Sequence, residues 1–236
     1  MTGRSAARPP HYRLLAFDVD GTLIASRDGR VVWQLLNQRF GSAADQDGRL
    51  FKAYLKGEIT YARWVDLDVG RWARAGATRD QLVQVIQEHL FPVPGARETL
   101  QELRRRGYKL AVISGTLDLT LEVHFPADVF DEVFTNRIWF DAAGRIAGWE
   151  ATPYDMEGKA RALKRLSAGL GIPLEQTVYV GDNINDVEVM NVAGLAVAFE
   201  PKHESVSAAA SATLQGDLRG LLQLTGLTAG PTDQRA

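Results

Sequence analysis

An α/β fold, with a parallel sheet and a helical insertion, is what this chain of 236 residues predicts. Three observations carry that expectation. Four short apolar runs, residues 13–18, 108–114, 177–181 and 195–199, have the length and continuous hydrophobicity of strands buried on both faces. Helical patterns separate the later runs, and alternation of strand and helix implies a parallel sheet. Between the first run and the second, residues 25–91 carry helical patterns and no convincing strand.

In chain order, the run at 13–18 is expected to open the sheet. Within the insertion, Thr78-x-x-Gln81 reads as a capping box ahead of Leu82, Val85, Ile86 and Leu90. The sequence PVPG at 92–95 breaks the helical pattern and ends the insertion. A helix over 96–106 places Ala96, Leu100 and Leu103 on one face before Gly107 ends it. Residues 138–140 and 145–149 flank Asp141-Ala142-Ala143-Gly144 as a β-hairpin, a second and shorter insertion. Leu163, Leu166 and Leu170 share one face of a helix over 159–170, closed by Gly171. The α/β core is thus expected at 11–24 and 92–225, the helical insertion at 25–91, and flexible tails at 1–10 and 226–236.

Composition is that of an ordinary globular protein, 45% hydrophobic and 24% charged. A formal net charge of -2 offers no electrostatic case for nucleic acid or an anionic membrane as partner. With no cysteine, disulfides, zinc–thiolate sites and Cys nucleophiles are excluded, and a reducing cytoplasm is the expected setting. No apolar run approaches the ~20 residues of a membrane span. The polar, basic start MTGRSAARPP lacks the apolar stretch of a signal peptide. A monomer or homodimer is expected.

Ligands of open α/β sheets bind beyond the carboxyl ends of the strands. There the first run delivers Asp18, Asp20 and Thr22, the second Ser114-Gly115-Thr116, and the third Asp182, followed by Asn185 and Asp186. Crowded carboxylates repel one another and call for a cation. Oxygen ligands without His or Cys suit Mg²⁺. Ser114-Gly115-Thr116 reads as a turn at a helix start, with a hydroxyl and backbone N–H groups for an anion. Carboxylates, Mg²⁺ and an anion cradle together suggest phosphoryl transfer. Asp18 is then the candidate nucleophile and Asp20 the candidate acid and base.

DVDGT (18–22 at its core), ISGT ending at Thr116, Lys159 in EGKA and GDNIND (181–186) occur in the order of the four motifs of the haloacid dehalogenase superfamily, which this sequence resembles in its phosphatase branch. The resemblance implies a Rossmann-like three-layer core with a small inserted helical cap domain. It also implies Mg²⁺-dependent hydrolysis of a small phosphorylated metabolite through an aspartyl-phosphate. By the same resemblance Asp18 is the nucleophile, Asp20 the acid/base, and Lys159 holds nucleophile and phosphate. Ser114 and Asn185 lie at the phosphate, Asp18, Asp182 and the Asp20 carbonyl at the metal, and Asp186 supports Asp182. A phosphotransferase built from the same residues, or a catalytically silent binding module, remains open on these residues alone. GEITY (57–61) and GDNINDVEVM are similar to the phosphoserine phosphatase subgroup.

Two positions depart from that subgroup. Its cap glutamate for the substrate amine falls on Arg27, and its cap arginine for the substrate carboxylate falls on Asp68, so both charges are reversed. Either Arg27 and Asp68 form a structural ion pair or the pocket accepts different substrate charges. Trp33, Trp64 and Trp72 are read as core of the helical insertion.

Overall fold

The computed structural model describes residues 11–41, 46–224, 226–228 and 230–231. Strand β1 (Leu14–Phe17) is buried along its whole length. Leu15 and Phe17 pack into one hydrophobic cluster and Leu14 and Ala16 into the other, so the strand is the middle of three layers. After it the chain turns tightly. The Val19 carbonyl accepts from the N–H groups of Thr22, Leu23 and Ile24, with Gly21 at φ 95°.

The short strand β2 (Ile24–Ser26) leads into four helices: α1 (Val32–Arg39), α2 (Gln46–Leu55), α3 (Tyr61–Arg74) and α4 (Arg79–His89). Strand β3 (Leu90–Pro92) returns antiparallel to β2. This two-stranded ribbon corrects the expectation that residues 25–91 lack a strand. Three residues on each side are too few to give a periodic signal. Thr78 and Gln81 do form the expected reciprocal cap of α4, and Thr60 caps α3 by accepting from the Arg63 N–H at 3.1 Å.

Helix α5 (Ala96–Arg105) buries Ala96, Thr99, Leu100 and Leu103 on one face. Strand β4 (Lys109–Leu117) and helix α6 (Asp118–His124) come next. Strand β5 (Glu132–Phe140) lies parallel to β4, then antiparallel to β6 (Ile146–Glu150). The hairpin at 141–145 is therefore present, but its first strand begins earlier than expected and belongs to the main sheet. Asp141 Oδ1 closes its turn by accepting from the Ala143 and Arg145 N–H groups, both at 2.9 Å.

Helix α7 (Lys159–Leu170) runs between left-handed glycines, Gly158 and Gly171. Strand β7 (Thr177–Gly181), helix α8 (Val187–Met190), strand β8 (Leu195–Phe199), helix α9 (Glu204–Ala209) and strand β9 (Ala212–Leu214) complete the chain. The sheet order is β6-β5-β4-β1-β7-β8-β9, parallel except for β6. Leu163 and Leu166 of α7 cover one face of the sheet, and Leu100 and Leu103 of α5 the other.

The C-terminal expectation needs correction as well. Leu227 is fully buried, its carbonyl accepts from Arg106 Nη1 at 2.6 Å, and the Gly226 carbonyl accepts from the Tyr108 hydroxyl. Arg106 is thus an anchor for this segment. Of the tails expected at 1–10 and 226–236, residues 1–10, 229 and 232–236 lie outside the described residues. Among the described residues no helix is long and apolar enough to cross a membrane.

Candidate active site

Strands β1 and β7 are hydrogen-bonded neighbours in parallel register, so their carboxyl ends deliver Asp18 and Asp182 to one place. Oxygens of Asp18, Asp182 and Asp186 lie within 4.8 Å of one another, and all three residues are buried. The Lys159 ammonium, 1% exposed, sits 3.0 Å from Asp18 Oδ1 and donates to Asp186 Oδ1 at 2.7 Å. Helix α7 places it there because Lys159 is its first residue, directly after the Gly158 turn.

Asp186 is fully committed to the protein. Its Oδ1 also accepts from the Tyr179 hydroxyl at 2.7 Å, and its Oδ2 accepts from the N–H groups of Asp182 and Asn183 at 3.0 and 3.1 Å. Asp186 therefore holds the loop after β7 and orients Lys159. The remaining carboxylates, Asp18 and Asp182, are the ones that face a shared space. Thr22 Oγ1 donates to Asp182 Oδ1 at 3.2 Å, and the Lys202 ammonium lies 2.6 Å from Oδ2. A Cβ on Gly21 would collide with the Asp182 carboxylate and Lys202, so glycine is needed both for the turn and for this approach.

Burial raises the Asp18 carboxyl, with the Lys159 charge opposing. Burial, then the charge of Asp18, pushes Asp20 up to about 7. Asp182 is also pushed up to about 7, by burial and Asp18, against the pull of Lys202. Burial would lower Lys159, but the charges of Asp18 and Asp186 outweigh it and hold the ammonium above its ordinary value.

Ser114, Gly115 and Asn185 line a small cavity of about 100 Å³ together with Asp18, Asp20 and Lys202. Ser114 Oγ accepts from the Thr116 N–H at 3.2 Å, and Asn185 Nδ2 donates to the Asp155 carbonyl at 2.9 Å. The expected helix start at Ser114-Gly115-Thr116 is not found. These residues lie within β4, inside a register irregularity against β5 between Ile113 and Leu117, and α6 begins only at Asp118. The small polar residues bulge out of the ladder, and pairing with β5 resumes at Leu117, opposite Asn136. The Gly115 carbonyl accepts from Trp33 Nε1 at 2.9 Å and from Asn136 Nδ2 at 2.7 Å, which fixes the orientation of this peptide.

Asp68 is 1% exposed on α3, paired with Arg71 at 3.4 Å, while the Arg27 guanidinium stacks over Phe91 at 5.3 Å. The Arg27–Asp68 pair is therefore not formed, and Arg27 lines neither the small cavity nor the larger one beside it, of which Asp68 is a wall. Trp72 is core, donating to Asn37 Oδ1 at 2.7 Å; Trp33 packs against that core and also lines the larger cavity, while Trp64 lines the cavity, a correction to its reading as core.

Sequence reasoning missed Asp155, Asn136 and Lys202. Asp155 precedes α7 in an aperiodic stretch, and Asn136 is hidden inside a strand. Lys202 carried a usable signal, since it lies just past the carboxyl end of β8, where the strand-end rule applies as it does to β1, β4 and β7.

The family pattern described as "Hydrolase: haloacid dehalogenase-like hydrolase" matches residues 12–194, from β1 to just before β8. This chain belongs to the haloacid dehalogenase-like hydrolases. It is 34% identical over 219 residues to phosphoserine phosphatase SerB2 of Mycobacterium tuberculosis, covering 92% of this chain and 51% of that protein. A phosphoserine phosphatase of Streptomyces coelicolor is 32% identical over 223 residues, again 92% and 51%. The chain thus spans about half the length of these two relatives. The phosphoserine phosphatase of Methanocaldococcus jannaschii is 25% identical over 214 residues, covering 89% of this chain and 96% of that protein. Among solved structures, a phospho-aspartyl intermediate analogue of phosphoserine phosphatase superposes with a TM-score of 0.68 at 26% identity, over 90% of this chain and 98% of that one. A substrate-bound phosphoserine phosphatase complex gives 0.66 at 25%, over 90% and 97%.

The buried acidic cluster fits a metal ion. Its donors are hard oxygens, and desolvation, with the charge of Asp186 at Asp18 and of Asp18 at Asp182, raises both carboxyls, a strain that a bound cation relieves.

Proposed function

We propose that this chain is a Mg²⁺-dependent phosphomonoesterase acting on a small phosphorylated metabolite through phospho-Asp18. The observation that carries the reading is the buried Lys159 bridging Asp18 and Asp186, with Asp182 alongside and Asp20 poised near neutral pH. Asp18 and Asp182, with the Asp20 backbone carbonyl, would hold Mg²⁺. When bound, the ion supplies positive charge that offsets the negative charge of the phosphoryl group and of the carboxylates.

An Asp18 oxygen attacks phosphorus, and the bond from phosphorus to the ester oxygen breaks as Asp20 gives its proton to that oxygen. Asp20, now a carboxylate, takes a proton from water, whose oxygen attacks phosphorus. The bond from Asp18 to phosphorus breaks, inorganic phosphate leaves, and both carboxyl groups return to their starting state. Lys159 holds Asp18 in place and balances phosphate charge, while Ser114, Gly115 and Asn185 border the phosphoryl space and Thr116, also expected there, is buried and not among its lining residues. The helical segment between β2 and β3 acts as a cap that excludes water, its roots confined to the two-stranded ribbon.

The test is phosphate release from a panel of phosphomonoesters by wild type and Asp18→Asn, with and without Mg²⁺. Metal-dependent release that vanishes in Asp18→Asn is expected. Turnover that survives the substitution would remove Asp18 as nucleophile and sink the mechanism.

A further inference from the structure

Beside the small cavity lies a larger one of about 400 Å³, and the two share Val31, Trp33, Asp155 and Asn183 as walls. The smaller has room for little more than a phosphoryl group. A third cavity of about 280 Å³, with Arg30 and Lys202 in its walls, also borders Asp20 and Val31, but the larger one is the aromatic space that meets the small cavity at Trp33 and Asp155, and we place the rest of a substrate there. Its walls are chemically one-sided. Trp33, Phe51, Tyr61 and Trp64 line it, with ring centroids 6.0 Å apart for Phe51 and Trp64 and 6.4 Å for Tyr61 and Trp64. Its charged lining residues are Asp68 and Asp155, and among the described residues it presents no Lys or Arg. Arg71 pairs with Asp68 from outside that wall.

Aromatic faces carry negative quadrupole density, so they attract an ammonium and disfavour a carboxylate. Asp155 adds to both effects, since a substrate carboxylate would meet like charge there, whereas the charge of Asp68 is offset by its Arg71 partner. Asp155 stands at the junction of the cavities, close against Gly115, where it would face the first atoms of the leaving group.

We propose that the substrate is the phosphomonoester of a cationic amino alcohol that bears no carboxylate, its ammonium held in the aromatic and acidic cavity of Trp33, Phe51, Tyr61, Trp64, Asp68 and Asp155. The inference rests on the phosphatase reading and deepens it. It is also opposed to phosphoserine, the substrate named by the relatives, because that molecule carries a carboxylate into this wall.

Binding is measured first, by tryptophan fluorescence and calorimetry on Asp18→Asn with Mg²⁺, so that turnover is not required. The probes are phosphocholine, phosphoethanolamine, O-phosphoserine and 3,3-dimethylbutyl phosphate, the uncharged isostere of phosphocholine. A cationic probe is expected to bind about tenfold or more tightly than both the isostere and O-phosphoserine. Trp64→Leu should bring the ratio of cationic probe to isostere towards one. Equal binding of cation and isostere, or preference for O-phosphoserine, overturns the inference. Wild-type hydrolysis of acetyl phosphate separates the two levels. Turnover there without cation preference defeats the substrate class and leaves the phosphatase reading. Cation preference in binding without any turnover defeats the phosphatase reading and supports the cavity assignment.

Discussion

Replacing Lys159 by methionine keeps a long flexible side chain in place and deletes its charge. In the native protein the ammonium is 1% exposed, 3.0 Å from Asp18 and 2.7 Å from Asp186. Its removal leaves two buried carboxylates facing each other without compensation, in a site they already share with Asp182. Breaking a buried ion pair by deleting one partner costs about 3–5 kcal/mol. For a chain of 236 residues, at about 2–4 °C per kcal/mol, the melting temperature should fall by roughly 6–20 °C.

The raised pKa of Lys159 sets the gap at neutral pH, and the raised Asp18 carboxyl sets its pH dependence. A base held above its unfolded pKa contributes stability that is fully present below that unfolded value and is lost only as pH rises through the folded one. The gap between wild type and Lys159→Met should therefore be complete at pH 7. It should narrow at acid pH in the variant, because Asp18, which burial already raises, is protonated there and no longer needs a partner. The assay is thermal melting tracked by circular dichroism, in EDTA so that no metal replaces the missing charge, from pH 4 to 9. A loss below about 1 kcal/mol at pH 7, or a gap independent of pH, would refute the reasoning. Either result would mean that the carboxylates around Lys159 are neutral in the native protein.

Other expectations concern the metal and the acid. Saturating Mg²⁺ at about a hundredfold over its dissociation constant should stabilise the protein by about 2.7 kcal/mol, read as a rise in melting temperature, and Asp182→Asn should abolish it. Thr22→Val leaves Asp182 without a hydroxyl donor 3.2 Å away and should weaken Mg²⁺ affinity by about 10- to 100-fold in a calorimetric titration, as loss of a residue supporting a ligand does. Asp20 acts as an acid only while protonated, so with alkyl phosphates kcat/KM should decline as pH rises past about 7. Asp20→Asn should remove that limb and cost about 10²- to 10⁴-fold, yet cost little with p-nitrophenyl phosphate, whose leaving group needs no proton.

Buried strands announce themselves by local composition, and this is why β1, β4, β7 and β8 are legible along the chain. The residues directly after a parallel strand lie at its carboxyl end whatever the distant sequence does. Asp18, Asp20, Ser114 and Asp182 are legible for that reason, whereas Lys159 is singled out only by the resemblance of EGKA to the family's motif. Elements whose stability comes from pairing leave no such trace. The ribbon of β2 and β3, the strand β9 and the onset of β5 are short or mixed in pattern, and hydrogen bonds to distant partners decide them.

The same divide runs through the site. The sequence alone determined that carboxylates gather at the strand ends and suggested phosphoryl transfer, because residue type and strand position suffice for that. Which oxygen each donor reaches, and therefore that Asp186 is saturated by Lys159, Tyr179 and two backbone N–H groups while Asp18 and Asp182 remain for a metal, was decided by tertiary structure. So was the separation of Arg27 from Asp68, one stacked on Phe91 and the other paired with Arg71. Side-chain partners far apart in sequence are chosen by packing, and only the folded chain brings Trp33, Trp64, Asp68 and Asp155 around one cavity.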